Sequence, residues 1–79
     1  MENRLAREII KTVADAVGDF IAKAMVNRNC ERLGVKPDML DASHIPELAR
    51  GIERSLGLFA DAKTGRTVAE KIMELGGPG

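Results

Sequence analysis

The chain has 79 residues, with twelve acidic and twelve basic side chains and therefore no formal net charge. This length allows one domain at most, which buries only about 60–65% of its unfolded surface, so oligomerisation is a usual source of extra stability. Balanced charge is not typical of a dedicated nucleic-acid binder and gives no attraction to anionic membranes. The single cysteine, Cys30, forms no intrachain disulfide and fits a reducing cytoplasm.

The N-terminal segment predicts neither a signal peptide nor a membrane span. Its apolar residues are interrupted by four charges, Arg7, Glu8, Lys11 and Asp15. We therefore expect a cytoplasmic protein without membrane association. The two aromatic residues, Phe20 and Phe59, are too few to predict a stacking platform for bases or sugars.

Residues 1–33 predict one long helix with a wide apolar arc. One apolar stripe consists of Leu5, Ile9, Val13, Ala16 and Phe20. The adjoining stripe consists of Ala6, Ile10, Ala14, Val17, Ile21, Ala24 and Met25. The two stripes together cover roughly 200°, whereas a helix on a single core needs about 100°. We expect the first stripe to form the internal core and the second to be covered by another chain, although the two could exchange roles.

The second stripe therefore supplies the predicted interface, most simply with a second copy of the chain. Its predicted residues are Ile10, Ala14, Val17, Gly18, Ile21 and Met25. Small residues recur every four positions at Ala14, Gly18 and Ala22, which indicates either a close helix-pairing seam or tolerated small residues at the edge of the stripe. The apolar phase changes near Met25, where the helix either bends or packs on a different neighbour. Gly34 is a typical helix end.

The rest of the chain predicts a connector and two shorter helices. The connector, residues 35–44, holds a short helical turn over 37–40, and Asp41 or Ser43 is a candidate N-cap. The second helix runs from about residue 45 to 56 and ends at Gly57. The third lies between residues 60 and 75, with a capping box at Thr67–Glu70 or an earlier start at Asp61 or Thr64.

The sequence thus predicts an all-α fold with no strand pattern. A single helical domain spans residues 1–75, in which two shorter helices pack back on the long N-terminal helix as a dimeric helical bundle. Residues 76–79 predict a flexible tail.

No pattern of side chains predicts catalysis, metal binding or a cofactor. Cys30 lies between Arg28 and Arg32, so it is either an activated thiolate or, as base rates for cysteine favour, a small buried residue. His44 has no partner ligands, so we expect it either to cap a helix start or to lie in a solvated loop. The hydroxyls have no base placed to activate them. We expect a protein that is not an enzyme and that uses no cofactor.

Basic residues could gather into a patch formed by Arg28, Arg32, Lys36, Arg50 and Arg54. A DNA-reading helix needs an exposed basic face, but the second and third helices both carry charges of mixed sign. A solvated mixed face is therefore the favoured interpretation, and we do not expect a nucleic-acid partner.

Four short segments carry a resemblance to known proteins: GDFIA at 18–22, ERLGV at 31–35, PDML at 37–40 and IPEL at 45–48. Over roughly residues 5–75, the chain is similar to small helical accessory modules of bacterial and archaeal signalling proteins, such as those beside receiver domains. The resemblance implies an interaction or dimerisation module without an active site. Since this chain carries no receiver domain, we expect it to act free-standing or in trans. The alternative is a small dimeric DNA-binding regulator.

Overall fold

Four α-helices make up most of residues 3–76, the part of the chain that the structure, a computed structural model, describes. Helix α1 is Arg4–Val17, α2 is Asp19–Leu33, α3 is Ile45–Phe59 and α4 is Ala62–Leu75. Two 3₁₀ turns, Pro37–Met39 and Ala42–His44, lie in the connector between α2 and α3. No strand occurs over this range, so the all-α prediction is confirmed. Most of the predicted tail, residues 77–79, lies outside the described residues.

The prediction of one helix over residues 1–33 is wrong, because the chain turns at Gly18. This glycine has φ +90° and ψ 161°, a conformation that is strained for residues with a side chain. Its N–H donates to the Ala14 carbonyl at 2.7 Å, and its own carbonyl accepts from the Ala22 N–H at 3.0 Å. A single residue therefore joins α1 to α2, and the two helices pack against each other.

The turn at Gly18 gives α1 and α2 separate buried faces. Helix α1 buries Ala6, Ile9 and Val13, whereas α2 buries Ala22, Val26, Asn29 and Cys30. Each helix thus buries a face of its own. On α1, members of both predicted stripes face the protein's own core, since Leu5, Ile10 and Val17 are half-buried against it. The apolar face does change its position around the helix, as predicted near Met25, but the change begins at the Gly18 turn. Phe20, predicted in the core stripe, is 84% exposed.

Helices α3 and α4 form the closest pair in the bundle. Their buried faces are Ile45, Leu48, Ala49, Ile52 and Leu56 on α3, and Gly65, Val68, Ala69 and Ile72 on α4. A Cβ atom on Gly65 would lie 2.6 Å from the carbonyl oxygen of Glu53. Gly65 is therefore needed for the backbones of α3 and α4 to come this close.

The ends of these two helices differ from the prediction in part. Helix α3 passes through Gly57 and ends at Phe59, so the predicted end at Gly57 is wrong. Helix α4 begins after Asp61, whose side chain accepts from the Thr64 N–H at 2.7 Å. This is one of the two earlier starts considered above, and the capping box at Thr67 does not form the helix start.

Asn3 joins the start of α1 to the connector. Its side-chain oxygen accepts from the N–H groups of Leu5 and Ala6, which caps the helix. Its Nδ2 donates to the carbonyls of Asp38 at 3.2 Å and Leu40 at 2.8 Å. The start of α1 and the connector consequently lie at the same end of the bundle.

Both tight turns lie at the other end. A shallow groove is lined by Thr12, Asp15 and Ala16 near the end of α1 and by residues of α4 including Lys63, Thr64 and Thr67. The α1–α2 turn at Gly18 and the α3–α4 turn at residues 60–61 are therefore neighbours. Among the described residues, no helix has the length and apolarity needed to cross a membrane.

Candidate functional site

The structure distributes the six predicted interface residues over two helices and a turn. Four of them are half-buried and pack against the chain's own core: Ile10, Ala14, Val17 and Met25. Gly18 is exposed at the turn, and Ile21 is half-buried on α2. The four-residue spacing of Ala14, Gly18 and Ala22 does not make one seam, because Gly18 separates the helices and Ala22 is fully buried. Contact of these residues with a second chain stays a prediction.

The two most exposed large apolar side chains, Phe20 and Leu58, instead lie at the end of the bundle that carries the two tight turns, together with Phe59. Phe20 is the second residue of α2, and Leu58 and Phe59 are the last two of α3, which contacts α2. Their exposed fractions are 84% for Phe20, 86% for Leu58 and 58% for Phe59. We call these three residues the apolar end. It contains both aromatic residues of the chain.

The apolar end is large for so small a protein. An aromatic side chain offers about 200 Å² of surface, so Phe20 and Phe59 together leave roughly 300 Å² of aromatic surface in water. Leu58 adds to this area. Exposed apolar patches of several hundred Å² are often functional.

Charges of both signs surround the apolar end. Asp19 and Lys23 lie on the first turns of α2, and Asp61 and Lys63 lie at the start of α4. All four are exposed, and no ion pair among the described residues joins any of them. The rim is therefore neutral as a whole, with two acids and two bases, of which Asp61 also caps α4.

A second surface is the groove between α2 and α3, with a volume of about 240 Å³. Three of its lining residues are Arg32, Arg50 and Arg54. We call this surface the arginine groove, and Glu47 also lines it. The predicted basic patch is thus assembled in part, since Arg28 and Lys36 do not line this groove.

The floor of the arginine groove contains the one buried polar side chain in the described core, Asn29, which is 5% exposed. Its Nδ2 donates to the carbonyl of Met25 at 2.8 Å and to Oγ of Ser55 at 3.3 Å. Ser55 Oγ in turn donates to the carbonyl of Gly51 at 3.1 Å. This network was not predicted from the sequence. Its signal is the polar Asn29 beside Cys30 on a face that is otherwise apolar.

Cys30 and His44 have the structural roles that the sequence favours. Cys30 is fully buried, and burial raises the pKa of its thiol, which is the opposite of an activated thiolate. His44 Nδ1 accepts a hydrogen bond from the Asp41 backbone N–H at 3.1 Å, while the Asp41 side chain accepts from the Ser43 N–H. This capping box starts the second 3₁₀ turn, which leads directly into α3. Over residues 3–76, no three side chains of His, Cys, Asp or Glu are grouped to hold a metal ion.

Comparison of the chain with models of protein families, with curated proteins and with solved structures finds no match.

Proposed function

We propose that this chain is a non-catalytic helical interaction module that forms a homodimer through the apolar end, in a cytoplasmic signalling context. The observation that carries the proposal is the exposure of Phe20, Leu58 and Phe59 at one end of the bundle. Helical bundles ordinarily place such side chains in the core, and this chain forms its buried core without them.

A second copy of the chain suits this surface better than a strongly charged partner does. The rim carries Asp19 and Asp61 beside Lys23 and Lys63, so a two-fold arrangement can set each acid opposite a base. The chain also has no net charge, so two copies do not repel each other over long distances. A dimer further increases the buried surface that a domain of this size otherwise lacks.

The proposal keeps part of the interface predicted from the sequence and adds to it. Ile21 follows Phe20 on α2 and is half-buried in the single chain, so a partner at the apolar end would cover it further. Leu58 and Phe59 join the interface because α3 extends past Gly57.

The test is the solution mass, measured by light scattering across a dilution series. We expect a mass near 17 kDa at high concentration, which is twice the 8.5 kDa of one chain. Phe20→Asp should give the single-chain mass with unchanged helicity by circular dichroism, and Ile21→Asp should weaken the dimer in the same direction. Met39→Asp is the matched control, because Met39 is also exposed but lies in the connector at the opposite end. A wild-type chain that is monomeric throughout would contradict the proposal.

The alternative, a small DNA-binding regulator, is supported by one observation, the convergence of Arg32, Arg50 and Arg54. Glu47 lies among them, and the overall charge is zero, which weakens attraction to a polyanion. Salt-sensitive retention of duplex DNA in a gel-shift assay, lost in Arg50→Gln, would favour this alternative.

A further inference from the structure

We infer that the arginine groove between α2 and α3 binds a phosphomonoester group. The inference does not rest on the proposed dimer, because none of the residues that line the groove belongs to the apolar end. It begins from three guanidinium groups that two different helices bring to one concave surface.

The three arginine side chains have no partner among residues 3–76. No ion pair and no side-chain hydrogen bond among the described residues involves Arg32, Arg50 or Arg54. Glu47 lines the same groove and nevertheless forms no ion pair with them. Three unpaired cations around one depression repel each other, and an anion bound between them would relieve this repulsion.

The residue type is also informative. All the basic residues of the groove are arginines, although the chain has five lysines at positions 11, 23, 36, 63 and 71. The planar guanidinium group presents paired N–H donors that match the oxygens of a phosphate or carboxylate, whereas lysine offers a point charge. Arg50 and Arg54 are one helical turn apart, which sets their Cβ atoms about 6 Å apart on the same face of α3.

The number and charge of the groups favour phosphate over carboxylate. Three arginines and Glu47 give the groove a formal charge of about +2, and a phosphomonoester carries about −1.5 to −2 at neutral pH. Its three terminal oxygens can each accept from a different guanidinium group. A single carboxylate offers one charge and two oxygens, so it would leave one arginine without a partner.

The floor of the groove supplies shape rather than charge. Gly51 contributes only backbone there, and the two amide hydrogens of Asn29 are already donated to Met25 and Ser55. The ligand would therefore be held by the arginines alone. Their substitution should remove binding without disturbing the core, because Arg32, Arg50 and Arg54 are all exposed.

The test is a titration of the ¹⁵N-labelled full chain, followed by NMR, with three probes in separate arms: inorganic phosphate, O-phospho-L-serine and adenosine 5′-monophosphate. Sodium chloride at matched ionic strength is the blank, and sodium malonate is the carboxylate comparison. We expect saturable shifts at Gly51, Asn29 and the arginine side chains with at least one phosphate probe. The tightest arm would identify the source as free phosphate, a phosphorylated side chain or a nucleotide.

Two variants make the result specific. Arg50→Gln and Arg54→Gln should each weaken binding about tenfold, because each removes a charge-assisted hydrogen bond. Arg4→Gln is the matched control, since Arg4 is exposed on α1 and should leave the affinity unchanged. Shifts that follow ionic strength alone, an equal response to malonate, or binding of duplex DNA without any response to the three probes would overturn the inference.

Discussion

The side-chain oxygen of Asn29 on α2 occupies the position that a Cβ atom on Gly51 of α3 would need. Asn29 cannot move aside freely, because its Nδ2 is held both by the Met25 carbonyl and by Ser55 on α3. The hydrogen bond to Ser55 joins the two helices at the point where Gly51 lets them approach. This pair therefore connects helix spacing to a buried polar network, and it lies in the floor of the arginine groove.

Gly51→Ala should destabilise the fold by about 1–3 kcal/mol, because the added methyl group displaces the Asn29 amide and breaks its hydrogen bonds. Gly57→Ala is the matched control on the same helix, since a Cβ atom there meets nothing within 4 Å. That variant should stabilise the chain by about 0.5 kcal/mol through helix propensity. Urea denaturation measures both, and an equal gain in stability from the two variants would contradict the role of Asn29.

A double mutant separates crowding from other effects at residue 51. In an Asn29→Ala background, the space beside Gly51 is open. Adding Gly51→Ala should then leave the free energy of unfolding nearly unchanged or increase it. The interaction energy between the two substitutions should then be on the order of 1–3 kcal/mol.

Asn3 should show two separable contributions to stability. Asn3→Ala removes the cap of α1 and both hydrogen bonds to the connector, so we expect a loss of about 2 kcal/mol in thermal or urea unfolding. Asn3→Asp keeps an oxygen that can accept from Leu5 and Ala6, but it has no donor for the carbonyls of Asp38 and Leu40. Asn3→Asp should therefore lose about half as much stability as Asn3→Ala. Identical losses would show that the cap contributes nothing, whereas an unchanged stability in Asn3→Asp would show that the contacts with the connector contribute nothing.

The N-cap of α4 should make stability depend on pH in the acidic range. The hydrogen bond from the Thr64 backbone N–H holds the pKa of Asp61 below its ordinary value. A group with a lowered folded-state pKa stabilises the fold above its unfolded pKa of about 4, and this contribution is lost as the pH falls through the folded-state pKa. Asp61→Asn keeps an acceptor without a titrating charge, so its melting temperature should fall less than the wild type's between pH 6 and pH 3. Equal falls would contradict this account.

Cys30 should react with a thiol reagent only when the chain opens. Its side chain is fully buried and burial raises its pKa, so both access and the thiolate fraction are low in the folded state. At pH 8 we expect labelling at least about 100-fold slower than in denaturant. Lys36→Cys in a Cys30→Ala background provides an exposed control site. Prompt labelling of the native wild type would show that α2 opens locally.

Helical periodicity was enough to predict the fold class and most of the core. Ile9 and Val13 on α1, and Leu48 and Ile52 on α3, are fully buried as their spacing indicates. The break between α1 and α2 at Gly18 was harder to predict, because a glycine inside an apolar pattern is compatible both with close packing and with a turn. Only contacts distant in sequence decide between them, here the packing of α1 on α4 and of α2 on α3.

The candidate surfaces depend on these same distant contacts. Phe20 falls on the core stripe if the helix is continuous, and it becomes exposed once Gly18 resets the phase. The sequence did indicate that Arg32, Arg50 and Arg54 could meet, but it could not determine that Arg28 and Lys36 would lie outside the groove. That outcome depends on how α2 is rotated against α3, which the buried Asn29 helps to set.

The two tight turns, at Gly18 and at residues 60–61, favour rapid folding of the chain. One residue joins α1 to α2, and two residues join α3 to α4. Packing each pair together therefore loses little loop-closure entropy. Helix α1 can pack on α2, and α3 on α4, before the two pairs pack against each other. Helical proteins whose contacts are this local fold within microseconds to milliseconds. The glycine that divides the first helix therefore also shortens the search by which the bundle forms.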